Sequence, residues 1–222
     1  VQSVAADFNK DGLMDYVVCG FGHDQGGLYL LQQKPDHTFK KEVMRGIPGG
    51  EQLITGDFNN DGWTDVMCLF AQADEGLWVF LNDHKGGFET KNLMHFQPVY
   101  GSSSFQLVDF NHDGKPDILY TCGDNSDYSK VLKPYHGVYI FTNQGDWKFK
   151  QTYFYHIDGC TKAIAASISP IRKLYPSMLD RSAGDAACTT HSAWLRMRRV
   201  RSAKWSSLVT MMPPSPLWMC LW

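Results

Sequence analysis

No stretch of this sequence approaches 18 consecutive apolar residues, so it carries no transmembrane helix. Charge of one sign is not in excess. The 222 residues hold 21 Lys and Arg against 23 Asp and Glu, a formal charge of −2, which argues against a nucleic-acid binder. Cysteine is sparse, and the six present form no metal spacing, so no disulfide framework is expected. A Gly-rich phosphate loop, HExxH and GxSxG are all missing, and the eight His pair with no Cys or Ser in a nucleophile motif. Nothing supports an active site, and the chain reads as no enzyme. An initiator Met is lacking too. Val1 opens inside a strand-like run, which reads as a missing start, and any signal peptide would be lost with it. What is present is 43% hydrophobic residues, 14% aromatics and 20 Gly. Such a chain can bury a core and leans to many short strands joined by turns, an all-β class.

The average hides a split. Residues 1–166 carry 13 Lys and Arg and 21 Asp and Glu, a net of −8; residues 167–222 carry 8 and 2, a net of +6. The first part holds 19 of the 20 Gly, and the last part 4 of the 7 Trp.

The acidic part repeats. Asp7-Phe8-Asn9-Lys10-Asp11-Gly12-Leu13-Met14-Asp15, Asp57-Phe58-Asn59-Asn60-Asp61-Gly62-Trp63-Thr64-Asp65 and Asp109-Phe110-Asn111-His112-Asp113-Gly114-Lys115-Pro116-Asp117 begin 50 and then 52 residues apart, a period found in propellers and solenoids. Each is preceded by a short alternating run and followed by three strand-like runs, such as Val66–Phe70, Gly76–Leu81 and the more polar Phe88–Leu93. The second and third runs of each period are apolar throughout, as strands buried on both faces are. The fourth carries charges and suits an outer edge. Four strands per period make one propeller blade. The expected fold is therefore a partial β-propeller of about three four-stranded blades, 1–48, 49–101 and 102–158. A stub, 159–166, supplies the first strand of a fourth. There Ser167 stands where the next loop Asp should be. The basic tail 167–222 is expected to be irregular. A basic arm with Arg196-Met197-Arg198-Arg199-Val200-Arg201 and a natural linker are the other readings of it. The abrupt loss of register favours a reading frame or assembly disrupted after Ala166.

The loop pattern is Asp-x-Asn-x-Asp-Gly-x-x-Asp. Oxygens at positions 1, 3 and 5 can converge on a hard cation, Gly at 6 permits the sharp turn, position 7 can offer a carbonyl and Asp at 9 closes the shell. An oxygen-only set suits Ca²⁺ over Zn²⁺. The EF-hand reading fails, because position 12 is Val18, Cys68 or Tyr120 rather than Glu, and each lies in a strand-like run. Asp, Asn and Gly also make turns without any metal, but three copies in phase favour cations. Three Ca²⁺ would move residues 1–166 from −8 to −2. Affinities of roughly 10⁻⁴–10⁻³ M or somewhat tighter fit a loop without a bidentate Glu.

These repeats resemble the FG-GAP/VCBS family, the calcium-bearing blades of integrin-α-like propellers, over 1–166. The resemblance implies that each loop joins the first two strands of a blade. It implies up to three Ca²⁺, held by Asp7, Asn9, Asp11, the Leu13 carbonyl and Asp15. The second set is Asp57, Asn59, Asp61, the Trp63 carbonyl and Asp65, and the third Asp109, Asn111, Asp113, the Lys115 carbonyl and Asp117. The function expected is a non-catalytic extracellular, cell-surface or periplasmic module for adhesion, binding or scaffolding. Its partners would be a protein or carbohydrate ligand and the remaining blades of a longer protein, with no nucleic acid and no membrane span. The alternative is the propeller domain of a larger secreted enzyme, such as a polysaccharide lyase or a dehydrogenase.

Three further features stand out. The third period is longer around 123–136, a loop where a binding site could be placed. Cys19, Cys68 and Cys122 recur at nearly the same place, read as small buried residues too far apart to bridge. Tyr29, Trp78 and Tyr139 share one repeat position, read as packing between blades.

Overall fold

The computed structural model describes residues 2–72, 74–124 and 131–167, with the strands at 194–196 and 207–211. Its first twelve strands form three antiparallel sheets of four, each in simple sequence order. The first blade is β1 (Gln2–Ala6), β2 (Asp15–Gly20), β3 (Gly27–Gln33) and β4 (Phe39–Arg45). The second is β5 (Gly50–Gly56), β6 (Asp65–Phe70), β7 (Gly76–Asn82) and β8 (Phe88–His95). The third is β9 (Ser102–Val108), β10 (Asp117–Cys122), β11 (Gly137–Asn143) and β12 (Phe149–His156). The sheets stack, with β5 against β1 and β2, and β9 against β5 and β6. This is a partial all-β propeller. β13 (Ala163–Ser167) lies against β9 and β10, in the place of a fourth blade's first strand. It pairs with β15 (Ser207–Met211), which pairs with β14 (Trp194–Arg196). The rest of the tail lies outside the described residues.

Burial follows the stacking. All six positions of β6 and all six of β10 are buried, because a neighbour covers each face. In β2 burial alternates instead. Val17 and Cys19 face the second blade, whereas Tyr16 and Val18 face away from it. Tyr29 and Val43 continue that outer face and are paired in register, and Val43 is 63% exposed. Trp78 and Tyr139, at the same repeat position as Tyr29, pack at blade junctions. The charged runs β4, β8 and β12 form the outer edges.

The innermost strands of successive blades are joined by glutamines. The Gln2 side-chain oxygen Oε1 accepts from Leu53 N at 2.9 Å. Gln52 accepts from Phe105 N and donates to Phe105 O, both at 3.0 Å. Gln106 does the same to Ala165, at 2.9 and 3.2 Å. A second clasp joins the first two blades at Arg45. Its guanidinium lies 4.2 Å from the Phe70 ring centre and 4.1 Å from that of Trp78, and donates to Asp74 at 2.6 Å.

The cysteines are buried, as expected, but one pair is not equivalent. Cys19, Cys68, Cys122 and Cys160 are all buried and free. However, Cys19 stands four residues after the last Asp of its loop, and Cys68 three after its own. Side chains alternate along a strand, so this offset turns the two thiols toward each other across one junction. There Cys68 lowers the Cys19 pKa and Cys19 raises that of Cys68.

Candidate metal-binding loops

Each acidic loop connects the first two strands of its blade, and the three are built alike. Position 6 is Gly12, Gly62 or Gly114, at φ between +82° and +85° with open space where a Cβ would stand. A side chain would fit there, so it is the backbone conformation that requires glycine. Position 4 is also left-handed, at φ near +60° for Lys10, Asn60 and His112.

The side chains at positions 1, 3 and 5 fold around the loop's own N–H groups. Asp7 Oδ1 and Asn9 Oδ1 both accept from Asp11 N at 3.1 Å, and Asp7 Oδ2 accepts from Gly12 N at 2.9 Å. Asp57 and Asn59 repeat this on Asp61 N and Gly62 N. Asp109 and Asn111 repeat it on Asp113 N and Gly114 N. The carboxylate at position 5 accepts from the position-3 amide and from the position-7 N–H: Asn9 and Leu13 onto Asp11, Asn59 and Trp63 onto Asp61, Asn111 and Lys115 onto Asp113. One shared N–H thus gathers two side-chain oxygens, each with lone pairs remaining. The donor set is oxygen-only, and the residues fit a hard cation by chemistry. Among the described residues, no cluster of three or more His, Cys, Asp or Glu is arranged as a metal centre.

Position 9 stands apart. Asp15, Asp65 and Asp117 are 0% exposed. Their Oδ2 atoms accept from the N–H of Phe8, Phe58 and Phe110, at 3.2, 2.9 and 3.0 Å. Their Oδ1 atoms accept from the N–H of Gln33, Asn82 and Asn143 at the end of the third strand, at 2.8–2.9 Å. Each therefore ties its loop to the third strand, a role the spacing alone did not reveal. Burial raises the Asp15 and Asp65 pKa values, these backbone bonds oppose it, and repulsion from the other loop carboxylates adds to the rise. Asp61 and Asp113 move down. At Asp61 desolvation is outweighed by bonds from His84, Trp63 N and Asn59; at Asp113 the Lys115 N–H leads.

The first two loops share a cleft of about 430 Å³ whose lining includes Asn9, Lys40, Trp63 and His84. Lys10 lies 4.1 Å over the Trp63 ring, His84 stacks on Trp63 at 4.8 Å, and His84 Nε2 meets Asp61 Oδ2 at 2.8 Å. No motif or spacing marks His84, which sits in the β7–β8 turn.

Residues 7–68 and 57–120 match the FG-GAP-like repeat family, so the matches run through just over half of the chain. The chain belongs to the FG-GAP-like repeat family. Both matches begin on the first Asp of a loop and end within a buried second strand of the next blade, so each spans two successive loops and the strands between them. Among curated proteins, the chain is similar to integrin alpha-PS5 of Drosophila melanogaster, 33% identical over 96 residues, covering 37% of this chain and 10% of that protein. It is 28% identical over 109 residues to mouse integrin alpha-3, covering 42% and 10%, and 28% identical over 131 residues to human integrin alpha-7, covering 51% and 11%. The chain spans about a tenth of the length of these relatives.

On the opposite end of the blades, the long loop of the third blade rests on an aromatic ladder. Tyr135 stacks on Tyr100 at 5.0 Å, and Phe96 stacks on Tyr120 at 4.2 Å. Val131 and Leu132 are 69% and 68% exposed beside it. Residues 125–130 of this loop lie outside the described residues.

Proposed function

We propose that this chain is part of an extracellular, non-catalytic binding or adhesion module whose three loops each hold one Ca²⁺. The observation that carries the reading is the threefold repetition of one oxygen-rich loop with the same internal bonds, at Asp7–Asp15, Asp57–Asp65 and Asp109–Asp117. In each, the side-chain oxygens of positions 1, 3, 5 and 9 and the carbonyl of Leu13, Trp63 or Lys115 would hold the ion. Bound Ca²⁺ supplies positive charge where three carboxylates crowd, and so rigidifies the loop. Asp15, Asp65 and Asp117 carry that order to the third strand through the backbone bonds described above. The integrin alpha relatives favour a protein or carbohydrate ligand and an extracellular or cell-surface setting. The loop ends opposite the acidic loops, with Val131, Leu132 and the Tyr135–Tyr100 stack, are the surface offered for it. In this reading 1–166 is the repeat part, the remaining blades belong to a longer protein, and 167–222 is no part of the repeat.

The test is a thermal melt of the chain in EGTA, in millimolar Ca²⁺ and in Mg²⁺. An ion present at 100 times its dissociation constant stabilises by about 2.7 kcal/mol per site. The expected result is a Ca²⁺-specific rise in melting temperature, abolished when Asp11, Asp61 and Asp113 are all changed to Ala. A cooperative melt indifferent to Ca²⁺ would reduce the loops to turns and remove the main support for the extracellular setting.

A further inference from the structure

The junction between the first two blades holds two buried thiols. Cys19 and Cys68 are both 0% exposed and lie in one hydrophobic cluster with Val17, Leu28, Leu53 and Phe70. Backbone pairing fixes their approach from both sides. Cys19 is the register partner of Gln2, Cys68 that of Leu53, and Gln2 Oε1 accepts from Leu53 N at 2.9 Å. The third strand to close on them is β5, where a Cβ added at Gly50 would come within 2.9 Å of Cys19 Cβ. Each thiol acts on the other across this seam, Cys68 lowering the Cys19 pKa and Cys19 raising that of Cys68.

We propose that Cys19 and Cys68 form a redox site, closing to a disulfide that staples the first blade to the second. The two sulfurs are not equivalent. In the closed junction Cys68 brings the Cys19 thiol down to about 7, against the effect of burial. Burial pushes the Cys68 thiol up, and it stays protonated in the closed junction. The oxidant is a low-molecular-weight disulfide such as oxidised glutathione. The Cys19 thiolate attacks one of its sulfurs, that S–S bond breaks, one small thiolate leaves and a mixed disulfide forms. Cys68 then loses its proton to solvent and attacks the Cys19 sulfur, expelling the second small thiol. Two protein thiols have lost two electrons and two protons, and the small disulfide has been reduced to two thiols. Both sulfurs are buried, so exchange takes place while the two blades are apart, during folding or transient opening. The closed junction then shields the product.

The full chain is incubated with oxidised glutathione, alkylated, digested with trypsin without reductant and read by mass spectrometry. The expected result is a cross-linked pair of peptides, 11–40 and 46–85, that separates on treatment with dithiothreitol. The cross-link closes a long loop, so the oxidised chain is expected to melt about 5–10 °C higher than the reduced one. A Cys122→Ser variant is expected to keep both results. The proposal is overturned if Cys19 and Cys68 are recovered separately alkylated or glutathionylated, or joined to any of the other four cysteines. A cross-link that lowers the melting temperature overturns the staple.

Discussion

The side-chain amide of Gln52 pairs with both backbone groups of Phe105, accepting from its N–H and donating to its C=O at 3.0 Å each. The same clip recurs from Gln106 to Ala165, and half of it from Gln2 to Leu53. A blade's inner strand has no backbone ladder to the next blade, so these amides are what satisfies it there.

Removing a clip leaves a backbone donor and acceptor unpaired at a junction. Gln52→Ala is therefore expected to cost about 1–3 kcal/mol, and Gln52→Glu part of that, since a carboxylate can accept from Phe105 N but cannot donate to its carbonyl. Urea melts of the variants beside Gln151→Ala, a change on the exposed outer edge β12, check this. Equal effects from all three would show the clips contribute nothing.

The two classes of loop aspartate should separate cleanly. Asp65 is 0% exposed and holds Phe58 N and Asn82 N, whereas Asp61 sits on the exposed rim. Asp65→Ala is expected to lower stability by about 2–3 kcal/mol even in EGTA, because two backbone donors lose a charged acceptor. Asp61→Ala is expected to change little in EGTA and to diminish only the Ca²⁺ response. Melts of both variants in EGTA decide the matter.

Glu75 makes the junction of the second and third blades pH-dependent. Its Oε1 accepts from Ser102 N at 2.7 Å and from the Ser102 hydroxyl, while Oε2 has no partner. Desolvation raises its pKa above the ordinary 4.5, against the Ser102 bonds. A raised folded-state pKa means the contribution is fully present below 4.5 and is lost as pH climbs through the folded value. The stability of Glu75→Gln relative to the natural chain is thus expected to rise from pH 4.5 to neutrality. Urea titrations across that window measure it, and a constant difference would refute the assignment.

Arg45 is held by rings as much as by charge. Arg45→Lys keeps the charge yet loses the planar stack between Phe70 and Trp78, and is expected to cost about 1–2 kcal/mol. Arg45→Ala should cost more, since packing goes with it. If Lys restores full stability in a thermal melt, the Asp74 pair alone explains the residue.

The blades could be read in the sequence because their signals are local. Apolar runs such as Val66–Phe70, and the loop Asp and Gly residues, each report on neighbours a few positions away. The acidic character of Asp15, Asp65 and Asp117 was equally visible, but its use as a backbone acceptor was not. The donors Gln33, Asn82 and Asn143 come 17–26 residues later. The glutamine clips were invisible for a related reason. A Gln on a strand reads as a solvated side chain, and the groups it serves are 51–59 residues away. Cys19 and Cys68 look like equivalent positions in the sequence, yet a one-residue offset on a period of two reverses the facing side.

All three clips point the same way, each from an earlier inner strand to a later one. A polypeptide made from its N-terminus therefore extends every hook before its target has been synthesised. Gln2 waits for Leu53, Gln52 for Phe105, and Gln106 for Ala165. The repeat thus has a vectorial seam built into it, in which each finished blade holds a template for the one still emerging. Cutting the chain after the first blade and rejoining that blade at the far end would make one hook arrive after its eye. Such a permutant should reach the same junctions by a different order of assembly.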